Sequence, residues 1–407
     1  MRPIQIDGKT GEGGGQLVRI AIALAAVTGQ AVTVTNIRAN RAHNKGGGLG
    51  NQHVTAIRFL ADATNAEVEG LYQCSKTVTF TPRQSPTSFA PRQVKIVADS
   101  TAASALLVLQ AALPFLVFAA NDAGEPIELE LTGGTNTSFS PSYDYFEQLV
   151  VPALRDFFGL TLECELSKRG WSLGRFTDGV MSVKIHPVPK GQSIKCQKLK
   201  KYTYPSSHEL KSVDVTILTP CYSHKKLQNR IAEDLGVLFP DIEINFKRTE
   251  DSGQDARWYV LLVGHSADGL RWGRDSLYSL PKAAKSIDTF IAQTSSKVCK
   301  RLYEEIERGG HVDEFLQDQM ICFQALAEGL SSFPRGESLE DTAICEPFVG
   351  EDGTINVENA RKEKTVEPFG QGSEHARTAR WVASELLPKA KFYTKGSIVK
   401  GIAYVAS

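Results

Sequence analysis

Residues 3–37 read PIQIDGKTGEGGGQLVRIAIALAAVTGQAVTVTNI. A short strand over 4–6 runs into the Gly-rich turn Gly11-Glu12-Gly13-Gly14-Gly15-Gln16. An apolar helix over 16–27 follows, then a strand over 31–37 rich in β-branched residues. Working outward, a second helix is expected over 52–63, and strands near 67–69 and 77–80 close a β-α-β-α-β-β unit.

The layout recurs. Residues 93–187 give strands over 93–97 and 127–131, helices over 102–118 and 143–158, and strands near 161–165 and 181–186. A third, less regular copy is expected at the C-terminal end, with helices near 287–308, 312–329 and 374–386 and strands over 391–393 and 398–405. Recurrence of one supersecondary unit carries more weight than any single element. The expected fold class is α+β: a large domain of three repeated units, 1–187 and 285–407, with helices packed on four-stranded sheets in a pseudo-threefold arrangement. Residues 188–284 break the repeat. They offer a Lys-rich start, strands over 213–218, 243–247 and 259–263, and a helix over 225–235, and read as a smaller inserted α/β domain. The acidic, Gly-bearing stretch 331–372 reads as a long flexible loop within the large domain.

The 407 residues include 46 Lys+Arg and 46 Asp+Glu, with 42% hydrophobic and 23% charged residues. That is ordinary for a globular protein and excludes a polycation that coats nucleic acid by bulk charge. The neutral sum is unevenly distributed. Residues 1–60 hold seven cationic and two acidic side chains, residues 184–230 ten and two, and residues 301–360 three and fourteen. An anionic ligand is therefore allowed where the basic regions meet. Seven cysteines without a C-x-x-C pair fit reduced thiols inside a cell rather than a disulfide framework or zinc knuckle. The apolar run 101–120 is interrupted by Gln110 and Pro114 and reads as a buried helix, so no membrane association is expected.

Five constellations carry chemistry. The Gly11–Gln16 turn lets backbone N–H groups approach a phosphate at a helix N-terminus. It is neither a Walker A loop, whose first Gly position holds Pro3, nor a G-x-G-x-x-G fingerprint, whose last position holds Gln16. Glu12 suits an oxygen ligand to a divalent metal, or an exposed carboxylate on a structural turn. Arg38 and Arg41 at the end of a strand suit a phosphate clamp, although lone Arg pairs are commonly solvated. Gly133-Gly134-Thr135-Asn136 followed by Ser140-Pro141 suits a ligand edge or an ordinary loop. Phe315, Asp318 and Gln319 share one helical face and could hold a purine, or Phe315 could be core. His375, in Ser373-Glu374-His375-Ala376-Arg377-Thr378, could be a nucleophile at a helix start, where the dipole keeps the imidazole neutral, or a surface residue.

Together these stretches resemble the RNA 3′-terminal phosphate cyclases. The likeness lies in DGKTGEGGGQLVR (7–19), NIRANR (36–41), NQHVTAIR (51–58), LTGGTN (131–136), Lys168-Arg169-Gly170-Trp171, DEFLQDQM (313–320) and EHARTA (374–379), and is weak in the insert. The resemblance implies an enzyme that uses ATP to turn an RNA 3′-phosphate into a 2′,3′-cyclic phosphate through a covalent histidine–AMP adduct. It implies His375 as nucleophile and Glu12 near a divalent metal, Mg or Mn, and the AMP phosphate. It further implies Arg19, Arg38 and Arg41 on phosphates, Gln52 and Gln110 as polar site residues, Pro141 and Phe315 on the two faces of adenine, and Asp318 and Gln319 beside the nucleotide. RNA with a 3′-phosphate end and ATP are the implied partners, and a nuclear location is implied for a eukaryotic member.

The sequence departs from the family pattern in places. Phe315 stands where a Tyr occurs, Gly48–Asn51 is less basic, 174–179 lacks a Gly run, and the stretch before His375 is longer. Two other readings stay open from sequence. One is a noncatalytic cyclase-like protein of ribosome biogenesis; the other is a small-molecule enzyme built from similar repeats, such as an enolpyruvyl transferase.

Overall fold

The structure, a computed structural model, describes residues 2–40, 46–101, 103–197, 209–279, 286–335, 355–358 and 360–406. In the first unit β1 (Ile4–Asp7), α1 (Gly15–Thr28), β2 (Val32–Thr35), α2 (Asn51–Thr64), β3 (Glu67–Glu69) and β4 (Val78–Thr81) succeed one another. The sheet order is β1-β2-β4-β3. β1 and β2 are parallel, with Ile4 opposite Val32, as a helical crossover requires. Val32, Val34, Val78 and Phe80 are buried, whereas the alternating Thr33 and Thr79 are only partly so. One sheet face is therefore covered by helices and the other is wetter.

The second unit copies this layout. β5 (Gln93–Val97), α3 (Ala105–Val117) and β6 (Ile127–Gly133) lead to a helical run, Tyr143–Tyr145 then the π-helical Phe146–Val150, which continues into α4 (Val151–Phe158). β7 (Leu162–Lys168) and β8 (Gly179–Ile185) complete the sheet β5-β6-β8-β7, the same order with the same parallel first pair. The apolar run of α3 is buried core despite Pro114 inside it, and among the described residues no helix is long and apolar enough to cross a membrane.

The third unit has α7 (Glu314–Leu326), β13 (Leu330–Ser332), α8 (Glu374–Leu386), β14 (Lys391–Tyr393) and β15 (Ile398–Lys400). Its sheet has three strands among the described residues, β13-β15-β14, where four were expected. Among the described residues, the stretch just before α7 makes only an isolated antiparallel bridge, Gly310–Arg335, and no strand pairs parallel with β13. Residues 336–354 and 359 of the expected loop 331–372 lie outside the described residues, and its first two residues belong to β13. α1 is buried along eleven of its fourteen residues and packs against α2, α3 and α8, so it sits where the units meet.

Between the second and third units lies the sheet β10-β9-β11-β12, formed by β9 (Leu210–Thr219), β10 (Glu243–Asp251), β11 (Trp258–Ser266) and β12 (Arg271–Tyr278). Its partner helices are α5 (His224–Leu238) and α6 (Ile287–Glu307). α6 was expected in the third repeat. Its apolar stripe (Ile291, Val298, Leu302) instead joins Val260, Leu262 and Trp272 in a separate core. Alternate residues of the same sheet, Tyr259, Leu261 and Val263, belong to the main core.

A buried ion cluster ties α6, β12 and the third unit together. Glu305 of α6 bonds Arg274 of β12, and accepts from Arg335 Nε at 2.7 Å and Nη2 at 2.8 Å. The three side chains are 1%, 7% and 4% exposed. Glu305→Ala leaves two buried guanidinium groups without their main partner, and we expect a stability loss of about 3 kcal/mol in chemical denaturation. A loss below about 0.5 kcal/mol, ordinary for a surface change, would contradict the cluster's role.

Candidate active site

A cavity of about 310 Å3 gathers side chains from all three units: Gln16 and Arg19 of α1, Gln110 of α3, Pro141, Phe315, Asp318 and Gln319 of α7, and His375 of α8. The elements around it start in fixed places because side chains cap them. Ser104 accepts from Leu107 N–H, Ser142 from Tyr145 N–H, Asp313 from Phe315 and Leu316 N–H, and Ser373 from Ala376 N–H. α1 differs: its N-cap is Gly14, with no side-chain cap. Its first-turn N–H groups remain available to an anion.

The Gly-rich turn packs on the start of α8. Thr378 Oγ1 accepts from Glu12 N–H at 3.2 Å. Gly11 has φ +65°, and a Cβ there would lie 2.2 Å from Thr378 Oγ1, so the turn tolerates no side chain. His375 lies one turn before Thr378 and so faces the same loop. Its Nδ1 is 2.9 Å from Gln16 Oε1 and 3.1 Å from Glu12 Oε2. Gln16 Nε2 in turn donates to Asp318 Oδ2. An ionised carboxylate only accepts, so Asp318 fixes the Gln16 amide with its oxygen toward the histidine. A neutral His375 then carries its proton on Nδ1 and leaves the Nε2 lone pair bare, and among the described residues Nε2 makes no hydrogen bond.

The electrostatics of His375 differ from the sequence expectation. The dipole of α8 was expected to hold the ring neutral, but its pKa is raised, first through the bond to Glu12, against the opposing pull of burial. A carboxylate at 3.1 Å outweighs a helix end. Burial pushes the Asp318 carboxyl up to about 6, with His375, Gln319 and Arg19 acting in the opposite direction.

The other expected residues divide. Arg19 Nε donates to Gln110 Oε1 at 2.7 Å, which aligns the guanidinium along the cavity wall. Phe315 is 43% exposed and lines the cavity rather than entering the core. Asp318 and Gln319 stand beside it, and Pro141 faces the cavity from the second unit. Arg38 does not line this cavity: it is buried with φ +53°, and Nη1 donates to the Gly48 carbonyl at 3.1 Å. Gln52 sits on the first turn of α2, also outside the cavity lining. Arg41 lies outside the described residues.

Sequence reasoning passed over two residues. Gln16 was used only to reject a dinucleotide fingerprint, yet it holds the histidine. Thr378 was noted only as context. The signal for both was spacing: Gln16 opens α1 immediately after the glycines, and Thr378 is three residues after His375.

Among the described residues no group of three His, Cys, Asp or Glu side chains gathers to hold a metal ion. Glu12 does fit Mg or Mn held mainly by a ligand's phosphates, since Mg commonly takes only one or two protein carboxylates.

The sequence model of the RNA 3′-terminal phosphate cyclase family matches residues 10–391. The chain is 33% identical to the RNA 3′-terminal phosphate cyclase of Pyrococcus furiosus over 327 residues, covering 80% of this chain and 86% of the relative. It is 30% identical to that of Drosophila melanogaster over 347 residues, covering 83% and 88%. Against that of Methanopyrus kandleri it is 31% identical over 339 residues, covering 82% and 88%.

The Glu12 contact makes a direct expectation. In an NMR titration of the imidazole signals, His375 should titrate above the usual histidine value, and Glu12→Gln should move the midpoint to lower pH. An unmoved midpoint would mean that Glu12 does not set the ring's charge.

Proposed function

The chain belongs to the RNA 3′-terminal phosphate cyclase family, and from that premise we propose that it converts RNA 3′-phosphate ends to 2′,3′-cyclic phosphates at the expense of ATP, with His375 as the covalent nucleophile. The observation that carries this reading is the chain Asp318–Gln16–His375. A catalytic histidine must present one nitrogen unprotonated, and the partner of the other nitrogen decides which one.

Adenine lies between Pro141 and Phe315, with Asp318 and Gln319 at its edge. The phosphates run toward Arg19 and the uncapped start of α1. The Nε2 lone pair attacks the α-phosphorus, the bond to the β-phosphate oxygen breaks, and pyrophosphate leaves. The ring becomes cationic as Nε2 is substituted, and the Glu12 carboxylate opposite Nδ1 stabilises that charge. An oxygen of the RNA 3′-phosphate then attacks the same phosphorus and releases His375. Finally the 2′-hydroxyl oxygen attacks the 3′-phosphorus, its proton passes to a base, the bond from that phosphorus to the oxygen bridging it to AMP breaks, and AMP leaves with that oxygen. Glu12 is the residue that would hold a divalent cation, which would supply neutralisation of phosphate charge.

This division of labour favours an enzyme over a binding scaffold, since a scaffold has no use for an oriented histidine. Incubation with α-labelled ATP should leave an acid-labile, hydroxylamine-resistant label on the protein, and His375→Ala should abolish it. Absence of label on the native protein would sink the reading. Gln16→Ala should slow labelling by roughly a hundredfold, the scale of a mispositioned acid–base group. An unchanged rate would remove Gln16 from the mechanism.

A further inference from the structure

A second cavity, of about 380 Å3, adjoins the first and shares Ser138, Ser140 and Asp275 with it. Nothing in the steps above uses it. Its walls come from the turn after β6, from β12 and from α6, so it lies between the second unit and the inserted sheet.

The lining has unfinished polar chemistry. Asn136 is 1% exposed and Ser276 7% exposed, and both line the cavity. Among the described residues Asn136 Nδ2, Ser276 Oγ and the Tyr278 hydroxyl have no hydrogen-bond partner. A buried polar group left unsatisfied is destabilising. Three in one wall are most simply explained by a polar ligand that completes them. On the same wall α6 presents Lys297 and Arg301, one turn apart and exposed. Neither forms an ion pair among the described residues, and Lys297 Nζ sits 5.6 Å from the centre of the Tyr278 ring. Asp275 stands on the shared wall and accepts from the Tyr259 hydroxyl at 3.1 Å. A carboxylate at this point repels a phosphate but accepts readily from a sugar hydroxyl.

The pattern is a row of hydroxyl and amide groups, an acceptor at the inner end and two cations at the other. It matches a ribose followed by a phosphodiester. We propose that the second cavity is the strand subsite of the RNA substrate: the terminal ribose lies against Asp275 and the neighbouring hydroxyls, and the preceding phosphodiester lies on Lys297 and Arg301. The proposal rests on the ATP reading of the first cavity, because contiguity with it brings the strand's 3′ end toward His375.

The test is fluorescence anisotropy of a labelled RNA oligonucleotide ending in a 3′-phosphate, titrated across salt concentrations. Lys297→Glu with Arg301→Glu should weaken binding about tenfold or more at low salt and flatten the dependence of log K on log salt by about 0.7 for the phosphate released. Unchanged affinity and slope would overturn the subsite. Both side chains are exposed, and the single variants Lys297→Ala and Arg301→Ala give the same reading, at smaller amplitude, if the double reversal lowers the melting temperature. AMP labelling is followed in parallel. Native protein that takes label, with RNA affinity indifferent to both substitutions, refutes the subsite alone. Protein that binds RNA through these residues but never takes label refutes the ATP reading alone.

Discussion

The site depends on one relay: a desolvated carboxylate, Asp318, orients an amide, Gln16, and the amide orients a ring, His375. Each member comes from a different helix, α7, α1 and α8. The relay therefore exists only if the first and third units, far apart in sequence, pack in one register. α1 supplies the middle member and is also the helix buried against its neighbours on nearly every side. The interaction that orients the His375 ring and the packing that holds the large core together thus share one element.

The repeats explain why so many functional side chains converge. Helices that cover separate sheets turn their starts toward a common centre, and those starts carry the caps, glycines and polar residues that a phosphate ligand requires. The inserted sheet is not a detached appendage. Alternation along β11 sends Trp258, Val260 and Leu262 into the insert's core and Tyr259, Leu261 and Val263 into the main one. The Arg274–Glu305–Arg335 cluster then fixes α6 against the third unit. This is how cations on α6 come to border a cavity beside His375.

Much of this was legible in the sequence. Strand alternation and apolar helices repeat in the first two units, and their elements follow in the expected β-α-β-α-β-β succession. The third unit was blurred because, among the described residues, its sheet has no first strand paired parallel with the second. α6 was placed with the wrong partner because an amphipathic stripe shows that a face is buried but not against what. The face of α7 was readable from i, i+3, i+4 spacing, and Phe315, Asp318 and Gln319 all reach the cavity. Arg38 was not, because a left-handed backbone turns its side chain back onto Gly48, which residue type alone does not reveal. The charge of His375 was misjudged for a related reason: the helix dipole is visible in sequence, whereas the opposing Glu12 comes from 363 residues earlier.

The central claim is that Gln16 and Glu12 hold the proton of His375 on Nδ1 and free Nε2. Long-range proton–nitrogen correlation NMR on 15N-labelled protein, recorded above the ring's raised pKa, reads the tautomer directly. The account predicts a protonated Nδ1 and a bare Nε2. A neutral ring protonated on Nε2 would contradict it.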